Sequence, residues 1–160
     1  MLRKIPDPIL RKKSKPVDTD LDLTPLFEEM SRVRQENYGE GIAAPQIGEL
    51  LRVINFVYKG KEVTVVNPTI KHKKGAVSAV EGCLSIPDFV YRVKRPESLT
   101  LFGEDTHGEP VKFKCDVYYA HIVDHEVDHL NGVLIDVKGT LVGTKNKGKV
   151  DKLAWAYDNK

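Results

Sequence analysis

Two histidines four residues apart, with a glutamate directly after the first, could hold a metal ion: His125, Glu126 and His129 within DHEVDHLNG. On a helix, residues four apart lie on one face, so both imidazoles could bind the same ion. Imidazoles suit zinc or ferrous iron, and a neighbouring carboxylate could take a proton from bound water. The pattern fixes only three positions, and the alternative interpretation is a solvated, charged helix face.

A third ligand must come from outside this row of histidines. His121 lies one further helical turn before His125, but about 12 Å of helix axis separates it from His129 at about 1.5 Å per residue. Ligand bonds are only about 2.0–2.3 Å long, so one ion cannot bind all three rings. We therefore expect His121 to pack or hydrogen-bond near the pocket.

The segment VEGCLSIP offers a cysteine in unusual surroundings. Cys83 follows Gly82 and stands between Glu81 and Ser85, which are atypical neighbours for a cysteine that only packs in a core. Cys115 lacks such neighbours and is predicted to pack in the core. With only two cysteines in the chain, a disulfide framework is not expected.

The segment YGEGIAAPQIG is rich in small residues, which allow another backbone to approach closely. It lacks the G-K-[ST] ending of a phosphate-binding loop and the third glycine of a dinucleotide fingerprint. Its Gln46 could donate a hydrogen bond to an oxyanion without adding charge, although a simple tight turn is the alternative.

Together and in this order, GEGIAAPQIG, EGCLS and HEVDHLNG resemble the three motifs of the peptide deformylase family, and the opening KIPDPILRKKSKPV is similar to its first segment. The resemblance covers roughly residues 4 to 140. It implies one divalent metal ion bound by Cys83, His125 and His129. Fe²⁺ is the expected ion, and Zn²⁺, Ni²⁺ or Co²⁺ could substitute.

The resemblance also implies an activity: removal of the N-formyl group from the N-terminal formylmethionine of nascent polypeptides, with release of formate. Glu126 would be the general base, while the Gln46 amide and the Leu84 backbone N–H would stabilise the oxyanion. An extended peptide would add like a β-strand. The residues expected to contact it are Glu40, Gly41, Gly82, Tyr118, His121 and Ile122.

Several charged positions near the motifs have open roles. The resemblance implies that Glu81 and Arg95 form a bracing pair, against the alternative of two surface charges. Asp124 stands where the family commonly has glutamine, and it could add negative charge to the site or face solvent. Asp128 could orient a metal-bound imidazole or pair with a distant basic group.

The pattern of elements predicts an α+β fold in one domain, with antiparallel strands packed around a central helix that carries the two histidines. We assign residues 1–140 to the catalytic domain and 141–160 to a short Gly/Lys-rich linker and C-terminal tail. Helices are predicted over 22–39, 116–132 and, as a short element, 150–160, and strands over 51–58, 61–68 and 98–105.

Composition narrows the classes of partner. The 160 residues carry a formal net charge of +2, which gives no sign of a nucleic-acid partner. No apolar run approaches the roughly 20 residues of a membrane span, and the first residues lack a secretory signal.

We expect a monomer in the bacterial cytoplasm, or in the host cytoplasm if phage-encoded, that meets formylated nascent peptides at the ribosome.

Two other functions fit part of the pattern. A zincin-like metallopeptidase shares the spacing of the histidines but would add a downstream Glu or His ligand, and NGVLIDVKGTLVG offers only Asp136. A metal-binding module without catalysis would have lost a catalytic position, whereas Gln46, Glu126 and all three expected ligands are present.

Overall fold

The structure, a computed structural model, describes residues 1–18, 20–145 and the backbone of 156–157. Its helices are α1 (Thr24–Glu36), α2 (Val117–Leu130) and α3 (Ile135–Lys138), with 3-10 helices at Pro8–Arg11 and Ala44–Ile47. Its strands are β1 (Gly41–Ala43), β2 (Val53–Tyr58), β3 (Lys61–Lys74), β4 (Val77–Cys83), β5 (Ile86–Arg95), β6 (Ser98–Glu104), β7 (Pro110–Asp116), β8 (Thr140–Thr144) and β9 (Ala156–Tyr157).

The strands form two antiparallel sheets. The five-stranded sheet has the order β1-β2-β3-β6-β7, and the four-stranded sheet has the order β8-β5-β4-β9. The prediction of an α+β fold with antiparallel strands in one domain is confirmed.

Local turn chemistry sets two hairpins of the five-stranded sheet. Between β2 and β3, Lys59 and Gly60 both have positive φ values, 48° and 79°, as tight two-residue hairpin turns require. Between β6 and β7, the Asp105 carboxylate accepts hydrogen bonds from the backbone N–H groups of His107 and Glu109. These turns fix the register of the sheet that supports α2.

The N-cap position of helix α1 is Leu23, which makes no side-chain capping bond. The Asp22 carboxylate next to it accepts a hydrogen bond from the Thr24 N–H at 3.0 Å. Pro25 lies in the first turn, where a missing N–H costs little. Met30 and Val33 are buried against β1 and β2 and anchor this helix.

Helix α2 is buried on two sides. Its apolar side, with Ile122, Val123 and Leu130, packs into a core with Phe56 and Leu101 of the five-stranded sheet. Its other buried side carries polar groups, and the alternative of a solvated helix face is wrong. Among the described residues, no helix is long and apolar enough to cross a membrane.

The four-stranded sheet continues past position 140. Strand β8 pairs with β5, and β9 pairs with β4. The assignment of 141–160 to a linker and tail remains a prediction, since 146–155 and 158–160 lie outside the described residues. Most of the helix predicted over 150–160 lies there too, but the described pair Ala156–Tyr157 forms strand β9 instead, because it pairs with β4.

Candidate metal centre and active site

Three buried side chains bring metal-binding atoms to one point. The Nε2 atom of His129 lies 3.3 Å from Cys83 Sγ and 3.3 Å from His125 Nε2, and the three ligand atoms are all within 4.8 Å of one another. At a tetrahedral ion with bonds of about 2.0–2.3 Å, ligand atoms are about 3.3–3.7 Å apart. The thiol and two imidazoles therefore fit a small divalent cation.

The β4–β5 hairpin positions Cys83. Cys83 pairs with Ile86, and the two turn residues Leu84 and Ser85 lie between them. Cys115, in contrast, is buried in the apolar core between α2 and the five-stranded sheet, and burial raises the pKa of its thiol to about 12. The prediction that Cys115 only packs in the core is confirmed.

A buried carboxylate lies beside the ligand cluster. Glu126 is 4% exposed, and burial raises its pKa to about 7, although His125 and Arg95 act in the opposite direction. The backbone of Gly41 lies directly against this carboxylate: a Cβ added at Gly41 would lie 2.9 Å from Glu126 Oε1. A base with a pKa near neutrality suits proton transfer at physiological pH.

This contact changes the expected effect of substituting Gly41. The Gly41→Ala variant must displace the Glu126 side chain, because the new methyl group would lie about 3 Å from its Cγ, Cδ and Oε1 atoms. A displacement of about 1 Å can cost about 100-fold in turnover, so we expect kcat for a formylated peptide to fall at least about tenfold.

The matched control is Gly143→Ala, since a Cβ at Gly143 would meet nothing within 4 Å. Steady-state kinetics of the two variants separate kcat from KM. If Gly41→Ala raises KM and leaves kcat at the wild-type value, Gly41 serves only substrate approach and does not position Glu126.

Gln46 is held with its amide nitrogen toward the ligand cluster. Its Oε1 accepts from the Ala43 N–H at 2.9 Å, and its Nε2 donates to Ser85 Oγ at 3.1 Å and lies 3.9 Å from Cys83 Sγ. Ser85 Oγ in turn donates to the Arg3 carbonyl at 2.8 Å. The N-terminal segment thus holds both the amide and the β4–β5 turn, a contribution that the sequence did not predict.

A buried ion pair orients the first histidine. Arg95 Nε donates to Glu81 Oε2 at 2.9 Å, and Glu81 Oε1 lies 2.9 Å from His125 Nδ1. Burial opposes ionisation of Glu81, yet the hydrogen bonds from Arg95 hold its pKa at about 2. A carboxylate at Nδ1 favours a proton there and leaves Nε2 free to bind metal. The interpretation of Glu81 and Arg95 as surface charges is wrong.

The second histidine is held neutral. Burial lowers the pKa of His129 well below its usual value, and the positive charge of Arg95 lowers it further. A neutral imidazole is the form that binds a metal ion.

The side chains predicted to contact substrate lie in different surroundings. The exposed Tyr118 hydroxyl donates to the Glu40 carboxylate. Ile122 is buried in the core against the five-stranded sheet. His121 is fully buried, and burial lowers its pKa to about 4. Their contacts with substrate remain predictions, as do those of Gly41 and Gly82.

Asp124 does not face solvent. It is 2% exposed and contacts Arg95, Lys73 and Lys138. Asp128 likewise pairs with Arg95 and Lys138. The two lysines were missed by sequence reasoning, although an additional carboxylate on a buried helix implies nearby cations.

Comparison with known proteins identifies the family. A sequence model described as polypeptide deformylase matches residues 1–138. The chain belongs to the peptide deformylase family. The peptide deformylase of Dictyoglomus turgidum is 38% identical over 135 residues, which cover 84% of this chain and 88% of the relative. The chain is thus an enzyme of the deformylase class, and the zincin-like alternative gains no support.

Solved peptide deformylase structures have the same fold. The Thermus thermophilus enzyme superimposes with a TM-score of 0.81 at 34% identity, covering 86% of this chain and 83% of that one. The enzyme of the Vibrio parahaemolyticus bacteriophage VP16T, solved in complex with actinonin, gives a TM-score of 0.81 at 31% identity, covering 84% and 98%. Bacterial and phage deformylases therefore resemble this chain to a similar degree.

Proposed function

We propose that this deformylase removes the formyl group from N-terminal formylmethionine of nascent polypeptides and releases formate. The observation that supports the proposal is the convergence of Cys83, His125 and His129 ligand atoms within 4.8 Å, next to the buried carboxylate of Glu126. In this proposal α2 is the central, catalytic helix of the fold.

A divalent ion held by the thiolate and the two imidazoles would act as a Lewis acid and supply an activated water near neutral pH. We propose Fe²⁺ as the ion, with Zn²⁺, Ni²⁺ or Co²⁺ able to substitute, because this donor set suits each of them. Two supporting features are the Glu81 contact that fixes the His125 ring and the burial that keeps His129 neutral.

One protein group transfers the proton, and two others stabilise the negative charge that develops on the formyl oxygen. Glu126 takes a proton from the attacking water and returns it to the leaving amine. The Gln46 amide and the Leu84 backbone N–H stabilise the oxyanion on the former formyl oxygen. A donor of this kind is typically worth about 2.7–4 kcal/mol in the transition state. The two hydrogen bonds that fix Gln46 limit the reorganisation that it needs during the reaction.

The substrate peptide binds in an extended conformation beside β1. Strand β1 is at the edge of the five-stranded sheet and pairs there with β2, so its other side can accept an added strand. Gly41 lies in this strand and against Glu126, which brings the peptide end close to the base. Further contacts are proposed at Glu40, Gly82, Tyr118, His121 and Ile122.

In the cell we propose that the enzyme is a monomer that works in the cytoplasm, where formylated chains leave the ribosome. Its relatives in bacteria and phage are the basis for this setting.

Substitution of the cysteine ligand tests the proposed centre. Cys83→Ser removes the thiolate, so we expect metal content after anaerobic loading to fall well below one ion per chain, together with formate release. Metal analysis and a formate assay measure the two effects on the same samples.

Cys115→Ser is the matched control, because Cys115 is the other buried cysteine and lies in the core away from the ligand cluster. It is expected to retain full metal content even if the fold loses stability. Unchanged metal affinity and activity in Cys83→Ser would remove Cys83 from the centre.

A further inference from the structure

Of the carboxylates on helix α2, Asp124 has the most cationic partners. Its Oδ1 accepts from Lys73 Nζ at 2.9 Å, and its Oδ2 accepts from Arg95 Nη1 at 2.9 Å and from Lys138 Nζ at 3.4 Å. The three cations come from β3, β5 and α3, respectively. One buried side chain on α2 therefore joins three other elements beside the metal centre.

The charges around Asp124 balance. Arg95 contacts Glu81, Asp124 and Asp128, three carboxylates around a single positive charge. Lys73 and Lys138 add the two remaining positive charges, so the six groups sum to zero. The Asp124 side chain is 2% exposed, whereas those of Lys73 and Lys138 are 52% and 32% exposed, so the two lysines neutralise a buried carboxylate from the edge of the cluster. A neutral residue in place of Asp124 would leave one extra positive charge beside the metal centre.

A short series of contacts connects this cluster to a metal ligand. Asp124 and Asp128 both accept from Arg95 Nη1, each at 2.9 Å, and this fixes the plane of the guanidinium. The opposite edge of the guanidinium binds Glu81, whose Oε1 lies 2.9 Å from His125 Nδ1. The orientation of the His125 ring thus depends on how Arg95 is held.

We propose that Asp124 is a positioning residue for the metal centre and that Lys73 is its required counter-charge. Asp124 orients Arg95, Arg95 holds Glu81, and Glu81 aims the His125 ring. Lys73, at the exposed edge of the cluster, neutralises the buried Asp124 carboxylate. The inference rests on the proposed function in one respect, namely that Cys83, His125 and His129 bind a divalent ion.

Cobalt binding tests the proposal with a readout other than turnover. Asp124→Asn keeps the shape of the side chain and one acceptor for Arg95, but it removes the charge. Loss of partners outside the ligands typically costs about 10–100-fold in metal affinity. We expect Asp124→Asn to bind Co²⁺ at least about tenfold more weakly than wild type, with a changed visible absorption spectrum of the Co²⁺ centre.

The double variant identifies Lys73 as the counter-charge. Asp124→Asn combined with Lys73→Met restores neutrality, so Co²⁺ affinity should recover to within about threefold of wild type. The control combines Asp124→Asn with Lys71→Met, which removes the same charge from the same strand. Lys71 lies over the Phe102 ring, 5.5 Å from its centroid, and it should give no recovery.

Each outcome decides between the alternatives. Wild-type Co²⁺ affinity and spectrum in Asp124→Asn would overturn the inference, as would equal recovery with Lys71→Met. Asp124→Asn alone could fail to fold, which circular dichroism would show. In that case Asp124→Asn with Lys73→Met should fold and bind Co²⁺, and Asp124→Asn with Lys71→Met should not. Any other result for these two double variants would overturn the inference.

Failure of the proposed function would look different. Wild-type protein that binds no Co²⁺ would overturn the metal centre itself, and the inference with it. Wild-type protein that binds Co²⁺ through Cys83, with Asp124→Asn unaffected, would overturn only the role of Asp124.

Discussion

Replacing Glu126 with glutamine is expected to lower kcat for formyl-Met-Ala-Ser by about 10²–10⁴-fold, the usual contribution of a positioned general base. Glutamine has nearly the same shape and fits against Gly41, where the Glu126 carboxylate packs. The ligand atoms of Cys83, His125 and His129 are not altered, so the variant should still bind one metal ion. Formate release and metal analysis on the same preparation separate the two effects.

Glu109→Gln is the control for this substitution, because Glu109 is an exposed glutamate in the turn between β6 and β7. It should keep wild-type kinetics. A Glu126→Gln variant that deformylates at the wild-type rate would show that another group takes the proton.

Replacing Arg95 with methionine is expected to lower the free energy of unfolding of the metal-free protein by about 3–5 kcal/mol, the range for breaking a buried ion pair. Arg95 is 2% exposed, and its loss leaves Glu81 buried without its main cation and Asp124 and Asp128 with lysines alone. Urea unfolding followed by circular dichroism measures the change.

Arg32→Met provides the comparison for stability. Arg32 also contacts two carboxylates, Glu29 and Glu36, but on the surface of α1, where an ion pair contributes about 0–1 kcal/mol. If Arg95→Met unfolds at the same urea concentration as Arg32→Met, the buried cluster does not contribute the expected free energy of about 3–5 kcal/mol.

The parts of the site that the sequence predicted are those set by local geometry. Residues four apart share one face of any α-helix, so the spacing alone brings His125 and His129 together. Glu126 is next to His125 in the same pattern. The hairpin between β2 and β3 was predictable because Lys59 and Gly60 supply the turn directly. Cys83 and Gln46 lie far from the helix in sequence, and they were assigned by resemblance to the family rather than by local physics.

The parts that the sequence did not predict depend on contacts between distant segments. Asp124 had two open interpretations, because nothing local indicates that Lys73 and Lys138 come to the same carboxylate. Gly41 was expected to admit a substrate strand, whereas the structure adds a second reason for glycine, the packing of Glu126. Strand β8 was missed because a short segment after α3 becomes a strand only through pairing with β5.

The most direct test of the central claim is formate release from formyl-Met-Ala-Ser by protein loaded anaerobically with Fe²⁺. We expect one formate and one new amino terminus for each peptide consumed, with no cleavage between Met and Ala, and no release by the metal-free protein. Protein that carries one Fe²⁺ per chain and releases no formate would contradict the proposed function.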